Sequence, residues 1–183
     1  MCACQFAGLL LLARLPECAG DEGVHKRVLD AIGPKFLGRM LASPFDADGQ
    51  LDTERRPYIE VAVTVSATLC DVPAFFESAH LLRHTPTFIR LALGSEASVR
   101  DDALRVATAI AKHEHARDGL LTGNVFDELT RVASETGETG PAFSILECLV
   151  SAIEMPASHA VTMLGGLVRA MQVSCLPASA GHC

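Results

Sequence analysis

Apolar positions along this chain recur at helical rather than alternating spacing. Pro57 opens a stretch in which Ile59, Ala62, Val63, Ser66, Ala67 and Cys70 follow the i, i+3, i+4, i+7, i+8, i+11 series of one helix face. The β-branched cluster Val61, Val63, Thr64 and Val65 also fits strand alternation. The length of the segment and a proline at its first helical position decide for a helix. Apolar residues on nearly all of its sides predict that neighbours surround it.

The same grammar repeats downstream. Thr85-Pro86 reads as a cap-plus-proline start to a short helix carrying Phe88, Ile89, Ala92 and Leu93 and ending at Gly94. Ser98 to Asp101 reads as a capping-box start, leading into Val99, Ala103, Val106, Ala107 and Ile110 on one face. Asn124 is placed to cap a further short helix with Val125, Phe126, Leu129 and Val132 inward. Thr139-Gly140-Pro141 opens the next, with Phe143, Leu146, Leu149, Val150 and Ile153 inward. Pro156 breaks the chain, and Val161, Leu164, Val168 and Met171 mark a last helix. Ahead of these, Cys4 to Leu15 and Val24 to Leu41 read as opening helices, the second broken at Gly33-Pro34. Pro44 to Asp52 is acidic and rich in turn residues, so it is expected as a solvated loop.

Long helices thus begin near 57, 99 and 141, about 42 residues apart, within the range of HEAT and armadillo repeats. Shorter partners begin near 86, 124 and 157. The long-short alternation predicts an all-α fold, a right-handed α-solenoid of armadillo/HEAT-like helical repeats. It forms a single region over 1–183, with opening helices at 4–42 and repeat units at about 57–94, 98–134 and 141–173. Each helix pair leaves an apolar face that only a stacked neighbour covers. The ending Cys175-Leu-Pro-Ala-Ser-Ala-Gly-His-Cys183 supplies no polar capping helix, which leads us to expect part of a longer solenoid.

Charge and composition narrow the function. Twenty-two acidic against fifteen basic residues leave −7 over 183 residues, a field that repels phosphate backbones and anionic lipid. Aromatics make up only 5% with no Trp, too few for the stacking platforms of single-stranded nucleic-acid binders. Arg55-Arg56 is too small a basic patch to reverse that. The apolar run Phe6 to Ala13 has signal-peptide length but no basic residue before it, so a buried helix and a cytoplasmic location are expected. No run reaches the roughly 18 apolar residues of a membrane span. Seven cysteines, an odd number, do not read as a disulfide framework. Cys70 and Cys148 fall inside helical patterns as small buried hydrophobes, and Cys2 and Cys4 lack a matching pair at zinc spacing.

Candidate chemistry is sparse. In Lys112-His113-Glu114-His115 the histidines stand two apart, whereas a zincin helix needs them at i and i+4. A solvated, charged helix end near Gly119 is the expected role, favoured by the helix dipole. Asp101 and Asp102 diverge on a helix and serve as acids near its N-terminus. Gly165-Gly166 and Gly137 to Gly140 lack the preceding strand of a phosphate loop. No Gly-x-Ser-x-Gly elbow exists. We therefore expect no catalytic, cofactor-binding or metal-binding residue and no cofactor. The alternative is a small helical metal-binding or enzymatic protein using His113, Glu114 and His115.

Three stretches resemble the neurochondrin family of armadillo-like proteins. Gln5-Phe-Ala-Gly-Leu-Leu-Leu-Leu-Ala-Arg14 is similar to its amino-terminal QFA-x-LLL segment. Val28-Leu-Asp-Ala-Ile-Gly33 with Phe36, Arg39, Met40 and Leu41 resembles its next motif. Leu69-Cys-Asp-Val-Pro73 followed by Thr85-Pro86-Thr-Phe88 is similar to its C-x-x-PE and IP-x-[LI] stretch, with Ala74 where a Glu is usual. Weaker similarity continues to about Ala170, matching only the amino-terminal portion of the family's longer proteins. The resemblance implies a non-enzymatic cytoplasmic scaffold that binds other proteins, kinase or receptor- and vesicle-associated ones among them. It also implies links to neurite outgrowth, neuronal signalling and restraint of calcium/calmodulin-dependent kinase II phosphorylation.

Overall fold

A computed structural model describes residues 22–94, 96–121, 123–136 and 140–152, with Ser158, Ala160, Val161, Leu164, Gly165 and Val168 beyond them, all six helical. The expected helix from Cys4 to Leu15, the glycine pair's Gly166, Ile153, Met171 and the cysteines at 2, 4, 18, 175 and 183 lie outside the described residues. So does most of Gly137 to Gly140, of which only Gly140 is described.

Helix α1 (Glu22–Ile32) stops at Gly33, whose φ of 79° is the left-handed conformation glycine adopts without strain. Pro34 then starts α2 (Pro34–Met40), so the chain breaks where Gly-Pro punctuation predicts. The acidic segment that follows is anchored rather than merely solvated. A short bridge joins Phe45 to Leu51. The Asp46 carboxylate accepts from the backbone N–H groups of Asp48 at 3.0 Å and Gln50 at 2.9 Å. Pro44 and Leu51 are buried, and Arg90 lies 3.9 Å over the Phe45 ring while donating to the Gly49 carbonyl at 2.8 Å.

Helix α3 (Arg56–Leu69) has Pro57 in its first turn and buries Ile59, Ala62, Val63, Ser66, Ala67 and Cys70, together with Val61, Val65 and Leu69 on its other sides. This is the surrounded helix its composition implies. Two four-residue helices, α4 (Pro73–Phe76) and α5 (Ala79–Leu82), connect it to α6 (Thr85–Leu93). They are too short to leave a periodic signal in the sequence. Next come α7 (Ala97–Lys112), a single 3-10 turn (Arg117–Gly119), α8 (Gly123–Thr136) and α9 (Pro141–Ala152). Among the described residues the fold is all-α and contains no strand.

Helix α7 is the hub. It packs most extensively against α6, then against α9 and α3, while α8 packs on α9. A connection of three residues makes α6 and α7 antiparallel neighbours. By contrast α3 and α7 run parallel. Ser98 donates to Glu60 at 2.8 Å and Thr64 donates to Asp102 at 2.7 Å, so numbering climbs the same way on both helices. Arg56 bridges Glu60 and Glu96 at one end of this seam, and Arg105 meets Asp71 at 2.9 Å at the other. Beneath the polar edge, Val99, Ala103, Val106, Ala107, Ile110 and Ala111 of α7 are buried. Their small size lets helices approach closely. Phe75, Phe88 and Phe126 are the largest fully buried side chains, each contributing about 1.5–3 kcal/mol through burial.

One close approach admits only glycine. A Cβ on Gly38 of α2 would lie 2.6 Å from the His80 carbonyl oxygen of α5. Buried His84 sits beside the same contact. Its pKa is lowered by burial and then by the neighbouring Arg83 charge, against the pull of the Gly38 backbone.

Several local expectations are corrected. Ser98 caps nothing: α7 starts at Ala97 after Glu96, and the Ser98 hydroxyl reaches across to Glu60 instead. Thr85 likewise donates to the Leu82 carbonyl behind it rather than capping α6. Helix α8 begins at Gly123, which puts Asn124 inside its first turn. Asp101 and Asp102 fall in the second turn of α7; Asp101 is exposed, and Asp102 turns to Thr64. In α9 the buried face is Ala142, Ile145, Leu146 and Leu149, an i, i+3, i+4, i+7 set that leaves Val150 40% exposed. Val161, Leu164 and Val168 are on a helix as expected, yet they are 70%, 57% and 51% exposed.

Candidate functional site

An opening lies where four helices meet. The C-terminal end of α6 supplies Leu93 and Gly94, α7 supplies Arg100, Asp101 and Leu104, α8 supplies Val132 and Thr136, and α9 supplies Pro141 and Ser144. Together they line a groove of about 420 Å³. Leu93, Leu104, Val132 and Pro141 are half-buried and give an apolar floor. Thr136 and Ser144 add hydroxyls. At the mouth, half-buried Arg100 lies 3.5 Å from the exposed Asp101 carboxylate. Such an ion pair in water contributes little stability and yields readily to other partners.

No sequence motif joins these residues: Leu93 and Val132 read as inward members of two separate helix faces, Asp101 and Pro141 as parts of helix starts, and only the packing of α6 through α9 brings them to one place. The groove also lies on the less linked side of α7. Among the described residues, the one side-chain link into α9 is Arg117, which donates to the Ala152 carbonyl at the helix end.

The His113-Glu114-His115 cluster takes a different form from the expected one. Helix α7 ends at Lys112, and His113 is already extended, with φ −87° and ψ 123°. The two imidazoles therefore sit in a turn, with ring centres 6.0 Å apart and tilted by 57°. His113 is not a solvated helix end. It stacks on Phe76 with ring centres 4.3 Å apart and planes 21° apart, and its Nδ1 is buried without a hydrogen-bond partner. Burial lowers its pKa, the charges of His115 and Arg117 lower it further, and Glu77 and Glu114 act against them. Among the described residues, no group of three or more His, Cys, Asp or Glu side chains could hold a metal ion.

Two other candidates have structural surroundings. Cys70 is buried, and burial above all pushes its thiol up to about 11, with Asp71 adding to the shift, so it is not a thiolate at neutral pH. Cys148 is half-buried and, like Cys70, carries no disulfide. Arg55 and Arg56 are engaged internally: Arg55 donates to the carbonyls of Arg39, Met40, Ala42 and Ser43, and Arg56 pairs with Glu60 and Glu96.

Taken together these features define an all-helical protein with an open inter-helix groove, and no helix among the described residues is long and apolar enough to cross a membrane. The chain belongs to the Neurochondrin family, which matches residues 3–169 of its 183. The three stretches at Gln5–Arg14, Val28–Leu41 and Leu69–Phe88 all fall inside that match. No curated protein and no solved structure matches the chain significantly. Membership of this family supports, in general terms, a non-enzymatic scaffolding role exercised through protein–protein interaction.

Proposed function

We propose that the chain is a protein-binding scaffold built as a right-handed α-solenoid of armadillo/HEAT-like repeats. Its opening helices span 4–42 and its units about 57–94, 98–134 and 141–173. The observation that carries this reading is the parallel pairing of α3 and α7 through Glu60–Ser98 and Thr64–Asp102. In an up-and-down four-helix bundle adjacent helices alternate in direction and those of like direction sit on the diagonal. A repeat solenoid instead sets the equivalent helices of successive units side by side and parallel, with the second helix of each unit returning between them. Helix starts at 56, 97 and 141 support the same repeat.

The groove between α6, α7, α8 and α9 is then the surface that meets a partner polypeptide. By kinship, the partners are cytoplasmic kinases and receptor- or vesicle-associated proteins. The roles are in neurite outgrowth, neuronal signalling and restraint of calcium/calmodulin-dependent kinase II phosphorylation. The scaffold uses no catalytic, cofactor or metal residue of its own. The stack of His113 on Phe76 supports a structural place for that histidine.

The test is binding of the full chain to calcium/calmodulin-dependent kinase II, followed by assay of kinase phosphorylation. Saturable binding with stoichiometric restraint is expected, weakened by Ser144→Arg and Arg100→Glu in the groove. A chain in large excess that neither binds nor restrains the kinase would sink this reading.

A further inference from the structure

A smaller concavity, which shares no lining residue with the groove, lies between α2 and α3. Phe36, Arg39 and Met40 of α2, with Arg55 and Tyr58 at the start of α3, line a pocket of about 250 Å³. That is below the roughly 300–1,000 Å³ of sites for drug-sized ligands, so it accommodates one large side chain rather than a cofactor. Its floor is apolar, with Phe36 half-buried and Tyr58 45% exposed.

Both charged residues of its lining are arginines. Arg55 is spent inside the protein, its guanidinium capping the carbonyls at the C-terminal end of α2. That fixes one wall before anything binds, which reduces the ordering cost of association. Arg39 differs. Its guanidinium lies 5.8 Å from the Phe36 ring centre, and among the described residues no carboxylate is within ion-pair distance of it. In a chain of net charge −7, an arginine held over an aromatic floor without an acid is a local complement to negative charge.

We propose that this pocket docks an extended segment of a partner protein bearing a large apolar side chain next to a carboxylate. The apolar group sits between Phe36 and Tyr58, and the carboxylate pairs with Arg39. This rests on the scaffold reading above and adds to it a second contact point with its own chemistry, set apart from the groove.

The experiment uses the isotopically labelled full chain and two blocked tetrapeptides, Asp-Leu-Phe-Glu and Lys-Leu-Phe-Lys, followed by backbone amide shifts. The acidic peptide is expected to move the resonances of Phe36, Arg39, Met40 and Tyr58, with the basic peptide at least about tenfold weaker. Arg39→Glu, at an exposed position, should leave the melting curve unchanged, weaken the acidic peptide about tenfold and reverse the preference. Equal response to both peptides, or no shift at the pocket, overturns the proposal. So do shifts at these residues that grow with protein concentration alone, since the occupant is then a second copy. Shifts confined to Leu104, Val132 and Ser144 also overturn it while leaving protein binding through the groove intact. Kinase binding lost without any change at the pocket tells against the scaffold reading instead.

Discussion

Helix α7 meets its neighbours α3 and α9 in different ways. Its seam with α3 is stitched along the edge by Thr64–Asp102, Ser98–Glu60, Arg56–Glu96 and Arg105–Asp71. Its seam with α9 is apolar packing, and among the described residues the one side-chain link near it is Arg117 to the Ala152 carbonyl. Hydrogen bonds fix register because a one-residue slip breaks them, whereas apolar contact is non-directional. The stitched seam is held in register. The unstitched one is where the groove opens, between Arg100 and Asp101 on one bank and Pro141 and Ser144 on the other.

The largest expected effect tests what the two seams share. Leu149 is fully buried in α9, and Leu149→Ala should cost about 2–5 kcal/mol in urea unfolding, as core truncations do. A cost within experimental error would show that α9 is not packed into the same core as α7. A smaller effect separates the seams. Thr64→Val removes the donor to Asp102 at nearly constant volume and should cost about 1 kcal/mol. Ser144→Ala in the groove should stay within about 0.5 kcal/mol. Equal costs for the two would erase the distinction.

The smallest effect is set by pH and bears on two contacts outside both seams. His84 under Gly38 and His113 on Phe76 both have pKa values lowered from 6.5 in the folded chain, chiefly by burial. The unfolded chain therefore takes up these protons at higher pH than the folded one. Stability is complete above about pH 6.5 and falls as the pH drops through the window beneath it. A plot of urea midpoint against pH should be flatter for His84→Gln than for the parent chain. An identical slope would remove His84 from the account.

Much of the helical content was legible from spacing. The break at Gly33-Pro34, the surrounded α3, the α7 face from Val99 to Ile110 and the stop of α6 at Gly94 all follow from periodicity and punctuation. Caps were read less well. Ser98 and Thr85 have residue types that suit an N-cap, but a hydroxyl takes whichever acceptor the tertiary fold brings near, here Glu60 and Leu82. The candidate site was scarcely legible at all. Its residues come from four helices and share no local pattern, while the eye-catching His113-Glu114-His115 string proved to be a turn resting on Phe76.

Sequence alone determined that this chain is helical, where most helices start and stop, and to which family it belongs. Those properties depend on interactions within a few residues and on motifs that survive as strings. The parallel setting of α3 on α7, the rotation of α9 that exposes Val150, the glycine-only contact at Gly38, the groove and the Arg39 pocket were decided by tertiary packing. Each depends on which apolar faces meet, and a face that is buried in one pairing is open in another.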